Sequence, residues 1–373
     1  MPPADPFPDA TDARLQLATA GGRLGADAAR IARIAGALLL FVGALQIMKQ
    51  GAGELSILAD GGALVRNAGS TFGLGWIGAM IVLSGSPIAA SALSLVAAGS
   101  ISEMQGFAML TGSRLGAAFV VLFIGVVYAL RGERAKRGKP LGVGITALVA
   151  TACVYILAAL IGIALLRWHP FASLNPSLGA TWGDWIDTLY GPVVDLAGQA
   201  PGPVAFVAGL LALLVSFRLL DAAVPEFEPG ALGEARSRFR SRWTMFALGG
   251  LVALVTMSVS VALGVLVPLV ARNVVRKQDV LPYVMGANIA TLGDTLLAGF
   301  LLGSDPAVRI VLAGLIATTI VSIVLLSLFY GPFSRGVEAC CRALLARRSR
   351  LAGFTATLFV VPVAIVALAR VIP

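Results

Sequence analysis

The chain alternates between long apolar runs and short polar segments over most of its length. Seven runs are largely uncharged and approach the length of one helical bilayer crossing, which needs roughly 20 predominantly apolar residues. They cover residues 31–49, 105–130, 141–166, 203–220, 280–302, 309–330 and 352–370. A helix satisfies its own backbone hydrogen bonds in lipid. The sequence therefore predicts an all-α polytopic membrane protein with about seven full spans.

Two further apolar regions do not have the pattern of a simple span. One has 36 uncharged residues between Arg66 and Glu103, and the other has 29 between Arg242 and Arg272. Each contains small residues and a proline, which weaken a continuous helix. Each region is therefore either a kinked span or a re-entrant helical hairpin that leaves on the side where it entered. The residues that such hairpins would occupy are about 72–101 and 243–271.

The distribution of basic residues favours the hairpins, because cytoplasmic segments carry an excess of Lys and Arg. Segment 168–202 has no Lys or Arg and carries three aspartates. There are four basic blocks: 1–30, 131–139, 236–242 and 335–350. If each of the two hairpins leaves the membrane on the side where it entered, all four basic blocks lie on the same side of the membrane. We expect a cytoplasmic N-terminal tail, an external loop at 168–202, and a basic cytoplasmic segment plus the last span at 331–373.

Composition excludes several classes of protein. The 373 residues are 58% hydrophobic and 13% charged, whereas a soluble domain is about a quarter charged. The net charge of +9 comes from blocks between apolar runs, not from the basic face that nucleic-acid binding needs, so we expect no nucleic-acid partner. The three cysteines have neither disulfide-framework nor metal-ligand spacing. No catalytic motif or phosphate-binding glycine loop is apparent, so we expect neither an enzyme nor an organic cofactor.

The two halves of the chain match at an offset of 174 residues. The motif Ser-x-Ser at 84–86 recurs at 258–260, and Gly112 recurs as Gly286. The first apolar run shifts onto the fourth, and the second shifts onto the fifth. With the orientation above, the first run points outward and the fourth points inward. We therefore expect two inverted repeats, at 31–167 and 203–330.

The segments around the serine motifs carry a family resemblance. Gly-Ala-Asn-Ile-Ala-Thr-Leu occupies 286–292, its first-half counterpart Gly-Ser-Arg-Leu-Gly-Ala-Ala occupies 112–118, and Leu-Val-Ala-Ala-Gly occupies 95–99. At these residues, and over roughly 31–330, the chain resembles the type II sodium-phosphate cotransporters, the bacterial Na/Pi symporters. That family has a Gln-Ser-Ser-Ser hairpin in each repeat, followed by Gly-Ala-Asn-Ile-Gly-Thr-Thr.

The resemblance implies sodium-coupled phosphate symport by alternating access across the plasma or inner membrane. It implies a divergent member, for which we expect no counterpart of the family's PhoU-like domain. Serine hydroxyls are also oxygen ligands of the kind that sodium prefers, so the four motif serines are candidate sodium ligands. The candidate substrate and ion ligands are Ser84, Ser86, Ser258, Ser260, Arg114, Asn288, Thr291 and Asp294. Beyond phosphate and sodium, membrane lipid is the expected partner.

The chain departs from the family pattern at the centre of each expected hairpin. Leu83 and Met257 stand where the family has Gln. Gly85 and Val259 stand where the family has the middle serine. Two serines remain in each hairpin.

Two charged residues, Arg114 and Asp294, lie inside apolar runs, where the family has Asn and Thr. A charge near the middle of a spanning helix costs about 2.5–3.5 kcal/mol on insertion scales, so such residues normally face a partner or a wet cavity. Arg114 could bind oxyanion oxygens through its planar guanidinium, with Asp294 holding a coupling cation or a proton. The other interpretation is a purely structural pair.

Two alternatives to sodium-phosphate symport stay open. The same fold could carry a different anion or use protons as the coupling ion. The chain could also be a transport-inactive homologue that acts as a sensor or scaffold. Ion-dependent uptake by the reconstituted protein separates the carriers from the inactive homologue.

Overall fold

The computed structural model describes residues 10–54, 65–131, 138–168, 177–223, 241–256, 259–271 and 275–369. All regular secondary structure in these residues is helical. The helices are α1 (Ala10–Gly53), α2 (Ala68–Val82), α3 (Ser86–Ala97), α4 (Glu103–Arg131), α5 (Gly138–Trp168), α6 (Ser177–Ala197), α7 (Gly202–Ala223), α8 (Arg242–Thr256), α9 (Val259–Ala271), α10 (Lys277–Ala290), α11 (Leu292–Leu301), α12 (Asp305–Ser327), α13 (Tyr330–Leu345) and α14 (Arg348–Leu368).

Seven of the described helical segments are long and apolar enough to cross a membrane. They are the Ala28–Gly53 part of α1, then α4, α5, α7, α10 with α11 as one rod, α12 and α14. They coincide with the seven apolar runs of the sequence. Large apolar side chains on these helices point outward, among them Leu160, Leu211 and Val360, which suits a lipid environment. The prediction of a helical membrane protein is confirmed.

A sharp turn separates the short helices α2 and α3. Leu83 adopts the left-handed conformation (φ 56°) and ends α2, and the Ser84 N–H donates to the Ala79 carbonyl over 3.1 Å. Pro87 lies in the first turn of α3, where its missing N–H costs nothing. The glycine, serine and proline residues seen in the sequence therefore do interrupt the helix here.

The two ends of the α2–α3 pair lie at the same end of the bundle. Before α2, the Val65 carbonyl accepts a 2.6 Å hydrogen bond from Nε2 of Gln105, which follows α3. Just after α3, the Ser100 hydroxyl donates over 2.6 Å to the carbonyl of Ala52 at the end of α1. The chain therefore enters and leaves this pair beside the C-terminal end of α1.

The α8–α9 pair begins and ends at the opposite end of the bundle. The Arg242 guanidinium lies 5.6 Å from the centre of the Tyr330 ring, and the Tyr330 hydroxyl donates over 2.8 Å to the carbonyl of Gln278, which follows α9. The rod α10–α11 runs from there to Leu301, whose carbonyl accepts a 2.9 Å bond from Gln46 near the end of α1. Residues 257–258, between α8 and α9, lie outside the described part of the chain.

Helix bounds and glycine contacts repeat at the offset found in the sequence. Both ends of α2 and α8 differ by 174 residues (242 − 68 and 256 − 82). A side chain at Gly112 would collide with the Phe72 carbonyl, and one at Gly286 would collide with the Phe246 carbonyl. The same offset relates a second set of contacts: Gly75 with Met109, and Gly249 with Tyr283. In each half, glycines let two helices touch backbone to backbone.

The segment 168–202, which the sequence predicts to be an external loop, contains helix α6. This helix packs on α1 and α11, and its Tyr190 hydroxyl donates over 2.7 Å to the Leu39 carbonyl. Its apolar residues recur every three or four positions, as expected for one face of a helix: Ile186, Leu189, Tyr190, Val193 and Val194. Within the predicted span 280–302, the single residue Thr291 separates α10 from α11, and the two helices together still form one candidate membrane span.

Candidate functional site

A cluster of buried polar side chains lies where α4, α5, α10 and α11 meet the start of α3. Arg114 on α4 is only 2% exposed. Its Nη2 group donates to the Thr295 hydroxyl and lies 4.0 Å from Oδ1 of Asp294. The Thr295 hydroxyl in turn donates over 2.9 Å to the same carboxylate oxygen. Thr295 therefore bridges a buried ion pair that is itself loosely spaced.

The interruption at Thr291 positions Asp294. Because α11 starts at Leu292, Asp294 lies in the first turn of that helix, and the Thr295 backbone lies within hydrogen-bonding reach of its carboxylate. Ser86, the first residue of α3, lies beside the same carboxylate. The start of α3 can come this close because Gly85 packs against the backbone of Ser113. The short helices thus bring three parts of the chain to one point.

Several atoms of the ion pair are buried without a hydrogen-bond partner. They are Nε and Nη1 of Arg114 and Oδ2 of Asp294. A guanidinium has five N–H donors, and the two on Nη2 are the ones beside the cluster's acceptors, which leaves three unused. Unpaired buried polar groups are rare because each costs about 1–3 kcal/mol, more when charged. The site therefore has unused donors and acceptors that a small polar ligand could satisfy.

A second set of buried hydrogen bonds joins α5 to α10. The Asn288 side chain donates over 3.0 Å to the Thr151 hydroxyl. The main-chain carbonyl of Asn288 accepts a 2.8 Å bond from the Tyr155 hydroxyl and a 3.1 Å bond from the Thr291 hydroxyl. Asn288 is the counterpart of Arg114 at the 174-residue offset. Tyr155 lies close enough to interact with both charges of the Arg114–Asp294 pair. The two sets form one polar layer.

The structure brings together five of the eight sequence-predicted ligands: Ser86, Arg114, Asn288, Thr291 and Asp294. Ser84 is half-buried and lines a separate cavity of about 590 Å³ between the α2–α3 turn and α7. Ser258 lies outside the described residues, as does the side chain of Ser260, which belongs to α9. The assignment of Ser84, Ser258 and Ser260 as ligands stays a prediction.

Three members of the cluster, Thr295, Thr151 and Tyr155, were not among the residues predicted from the sequence. Thr151 and Tyr155 are four residues apart on α5, hence on one helix face. They are two of the few polar residues in a largely apolar span, and that is the signal that could have identified them. Thr295 directly follows Asp294. It could have been predicted as a member of the cluster, because a buried carboxylate needs a hydrogen-bond donor and the neighbouring hydroxyl can supply one.

A polar cavity of about 480 Å³ lies between α1 and α6, at the end of the bundle where α1 terminates. Lys49 lines it, and the Lys49 ammonium donates over 3.1 Å to the carbonyl of Leu302, which follows α11. Glu54, just after α1, and Asp187, on α6, also line the cavity. The cavity therefore offers charged groups of both signs near the far end of the helix that carries Asp294.

Among the described residues, no group of three or more His, Cys, Asp or Glu side chains could hold a metal ion. The polar layer instead offers one carboxylate, several hydroxyls and a guanidinium. Comparison of the chain with protein-family models, with curated proteins and with solved structures found no match. The function must therefore be inferred from the site itself and from the sequence resemblance.

Proposed function

We propose that the protein is a secondary carrier that moves inorganic phosphate, a small oxyanion, together with sodium by alternating access. The observation that carries this proposal is the buried Arg114 guanidinium, which has unpartnered Nε and Nη1 atoms. A guanidinium presents its N–H groups in a fork that matches phosphate oxygens. A purely structural arginine would be expected to have its donors satisfied by the protein.

Inverted repeats with re-entrant hairpins are part of this proposal. Its support is that the α2–α3 and α8–α9 pairs begin and end at opposite ends of the bundle, and that α2 and α8 have the same length at the 174-residue offset. The equivalent helices α1 and α7 also pack antiparallel, with Gly51 against Gly202 at one end and Arg30 bonded to the Ala223 carbonyl at the other. Discontinuous helices that meet between repeats are typical of carrier binding sites.

The charge of the site explains why a cation would accompany the anion. Arg114 and Asp294 neutralise each other, so a phosphate would bring one or two uncompensated charges into a poorly solvated region. A sodium ion bound at the same time offsets that charge. Oδ2 of Asp294 has no hydrogen-bond partner, and together with the hydroxyls of Ser86 and Thr295 it would offer the oxygen ligands that sodium prefers.

Phosphate uptake by the purified protein in proteoliposomes tests this proposal. We expect uptake under an inward sodium gradient and little uptake when potassium replaces sodium. Removal of a buried charged partner costs about 2–5 kcal/mol, so Arg114→Gln should reduce uptake at least thirtyfold. Arg167→Gln, which alters an exposed arginine at the end of α5, is the matched control. A wild-type protein without sodium-dependent phosphate uptake would contradict the proposal.

Proton-coupled transport is a second candidate function. It is favoured by the buried carboxylate of Asp294, at a position where the sodium-phosphate cotransporters that the chain resembles have Thr. Asp294 could take up a proton when phosphate displaces it from Arg114, which would also keep the site neutral. In that case uptake persists without sodium and follows a pH gradient, and Asp294→Asn uncouples it from that gradient. Absence of uptake under either gradient would favour a sensor or scaffold.

A further inference from the structure

We propose that α13 and the start of α14 form a surface that binds the headgroups of anionic phospholipids. This arginine surface consists of Arg335, Arg342, Arg347, Arg348 and Arg350, all of which are exposed. The inference is independent of the transported substrate, because the surface lies at the end of the bundle and contains no residue of the polar layer.

Helix α13 lies across one end of the bundle. Near its start, the Tyr330 hydroxyl donates to Gln278 at the beginning of α10. Near its end, the Cys341 thiol lies 3.6 Å from the carbonyl of Gly142 in the first turns of α5. A helix of 16 residues is about 24 Å long, and it touches the first turns of two spanning helices. It therefore lies at the depth where those helices would leave the hydrocarbon, which is the headgroup region.

One face of α13 is apolar and packs on the bundle. Phe333, Val337, Cys341 and Leu344 recur at a spacing of three or four residues and are all at least partly buried, with Val337 only 3% exposed. The opposite face carries the exposed arginines of α13. An in-plane amphipathic helix has this arrangement, with its apolar face inward and its cations at the level of the headgroups.

Residues 330–352 carry five arginines and one acid, so this surface keeps a net positive charge. No salt bridge to any of the five arginines occurs in the part of the chain that the structure describes. Arg335 and Arg350 bond only to backbone carbonyls, those of Gly331 and Ala343. The single acid on α13 is the exposed Glu338. Like charges on one surface repel one another, and an anionic counterpart would relieve that repulsion.

Apolar residues beside the surface favour a lipid over a soluble polyanion. Leu328 and Phe329, just before α13, are 72% and 52% exposed, and Leu345 at its other end is 37% exposed. An anionic phospholipid could place its headgroup on the arginines and its chains against these residues. A soluble acidic protein would leave them without an apolar partner.

Native mass spectrometry of the detergent-purified full chain can measure this binding, with phosphatidylglycerol and phosphatidylcholine added in parallel. We expect preferential binding of phosphatidylglycerol. An arginine near an anionic surface contributes roughly a fivefold gain in affinity. Arg342→Gln should therefore weaken binding about fivefold, and Arg335→Gln with Arg342→Gln about 25-fold. The matched control, Arg167→Gln at the opposite end of α5, should bind like wild type.

Four outcomes would overturn the inference. The first is equal binding of the two lipids, and the second is unchanged phosphatidylglycerol binding by the double variant with wild-type thermal stability. The third is displacement of the lipid by millimolar inorganic phosphate, which would indicate a site for free anions. The fourth is tight binding of polyglutamate with no preference among lipids, which would assign the surface to a soluble partner.

Discussion

Arg114 is the residue on which both the stability and the proposed chemistry of the polar layer depend. It is among the largest fully buried side chains of the described residues, and its counter-charge, Asp294, is equally inaccessible. A buried ion pair seldom adds stability over an apolar pair of the same size, but removal of one partner leaves an uncompensated charge. The pair is therefore informative when its two members are changed separately and together.

We expect Arg114→Met to lower the free energy of unfolding by about 3–5 kcal/mol, because Asp294 is left buried without a counter-charge. The double variant Arg114→Met with Asp294→Asn should recover most of that stability, as measured by thermal unfolding in detergent. If Arg114 binds the substrate, the double variant will fold and still fail to take up phosphate. Full uptake by a charge-swapped or neutral pair would identify a purely structural role.

Leu83 gives a prediction about backbone strain in the turn between α2 and α3. Its left-handed conformation (φ 56°, ψ 30°) costs a non-glycine residue roughly 1–2 kcal/mol. Leu83→Gly should therefore be more stable than Leu83→Ala by about 1 kcal/mol, although glycine is the weaker residue within a helix. Thermal unfolding of the two variants measures the difference. If Leu83→Ala were as stable as Leu83→Gly or more stable, the backbone at position 83 would not be strained.

Paired elements depend on glycine at the positions where backbones touch. A side chain at Gly286 would collide with the Phe246 carbonyl, whereas one at Gly250 would lie 3.5 Å from its nearest neighbour. Gly286→Ala should thus force α8 and α10 apart and lower the free energy of unfolding by about 1–3 kcal/mol. Gly250→Ala is the control on the same interface and should be close to neutral. Equal effects of the two variants would argue against this packing.

The inner face of α13 gives a prediction about thiol reactivity. Burial raises the pKa of the Cys341 thiol, so at a given pH less of it is the reactive thiolate. With Cys153 and Cys340 changed to Ser, alkylation of Cys341 should be slow at pH 7 and should still accelerate above about pH 8.5, the ordinary thiol pKa. An exposed cysteine introduced as Ser349→Cys provides the reference rate. A rate that levels off below that pH would contradict burial of the thiol.

At the scale of the whole molecule, hydropathy predicted the spanning helices and the two regions of short helices, because each depends on local composition. Helix α6 was missed, since its aspartates outweighed the helical spacing of its apolar residues. The contact between Arg114 and Thr295 could not be specified, because periodicity does not tell which face of a fully apolar helix is buried. Asp294 could be predicted as a site residue from the sequence alone, because a charged residue inside an apolar run indicates a buried partner or a wet cavity.

The orientation of the whole chain can be tested with an impermeant maleimide on intact cells. In a cysteine-free background, Ser102→Cys lies at the end of the bundle where α4 starts, and Ser349→Cys lies at the opposite end; both positions are exposed. With the basic blocks cytoplasmic, Ser102→Cys should react from outside. Ser349→Cys should react only after permeabilisation. The reverse pattern would show that the chain inserts the other way.

The backbone contacts at glycine restrict how the molecule could change shape. Helices α2 and α4, and likewise α8 and α10, approach too closely to slide past each other without collision. Each pair should then move as a rigid body. Larger side chains separate other helices, as where Phe107 and Leu110 of α4 face Gly314 of α12, and rotamer changes there can accommodate small displacements. Distance measurements by spin labelling should thus detect constant distances between α2 and α4 and between α8 and α10. Distances between helices separated by larger side chains, such as α4 and α12, should vary.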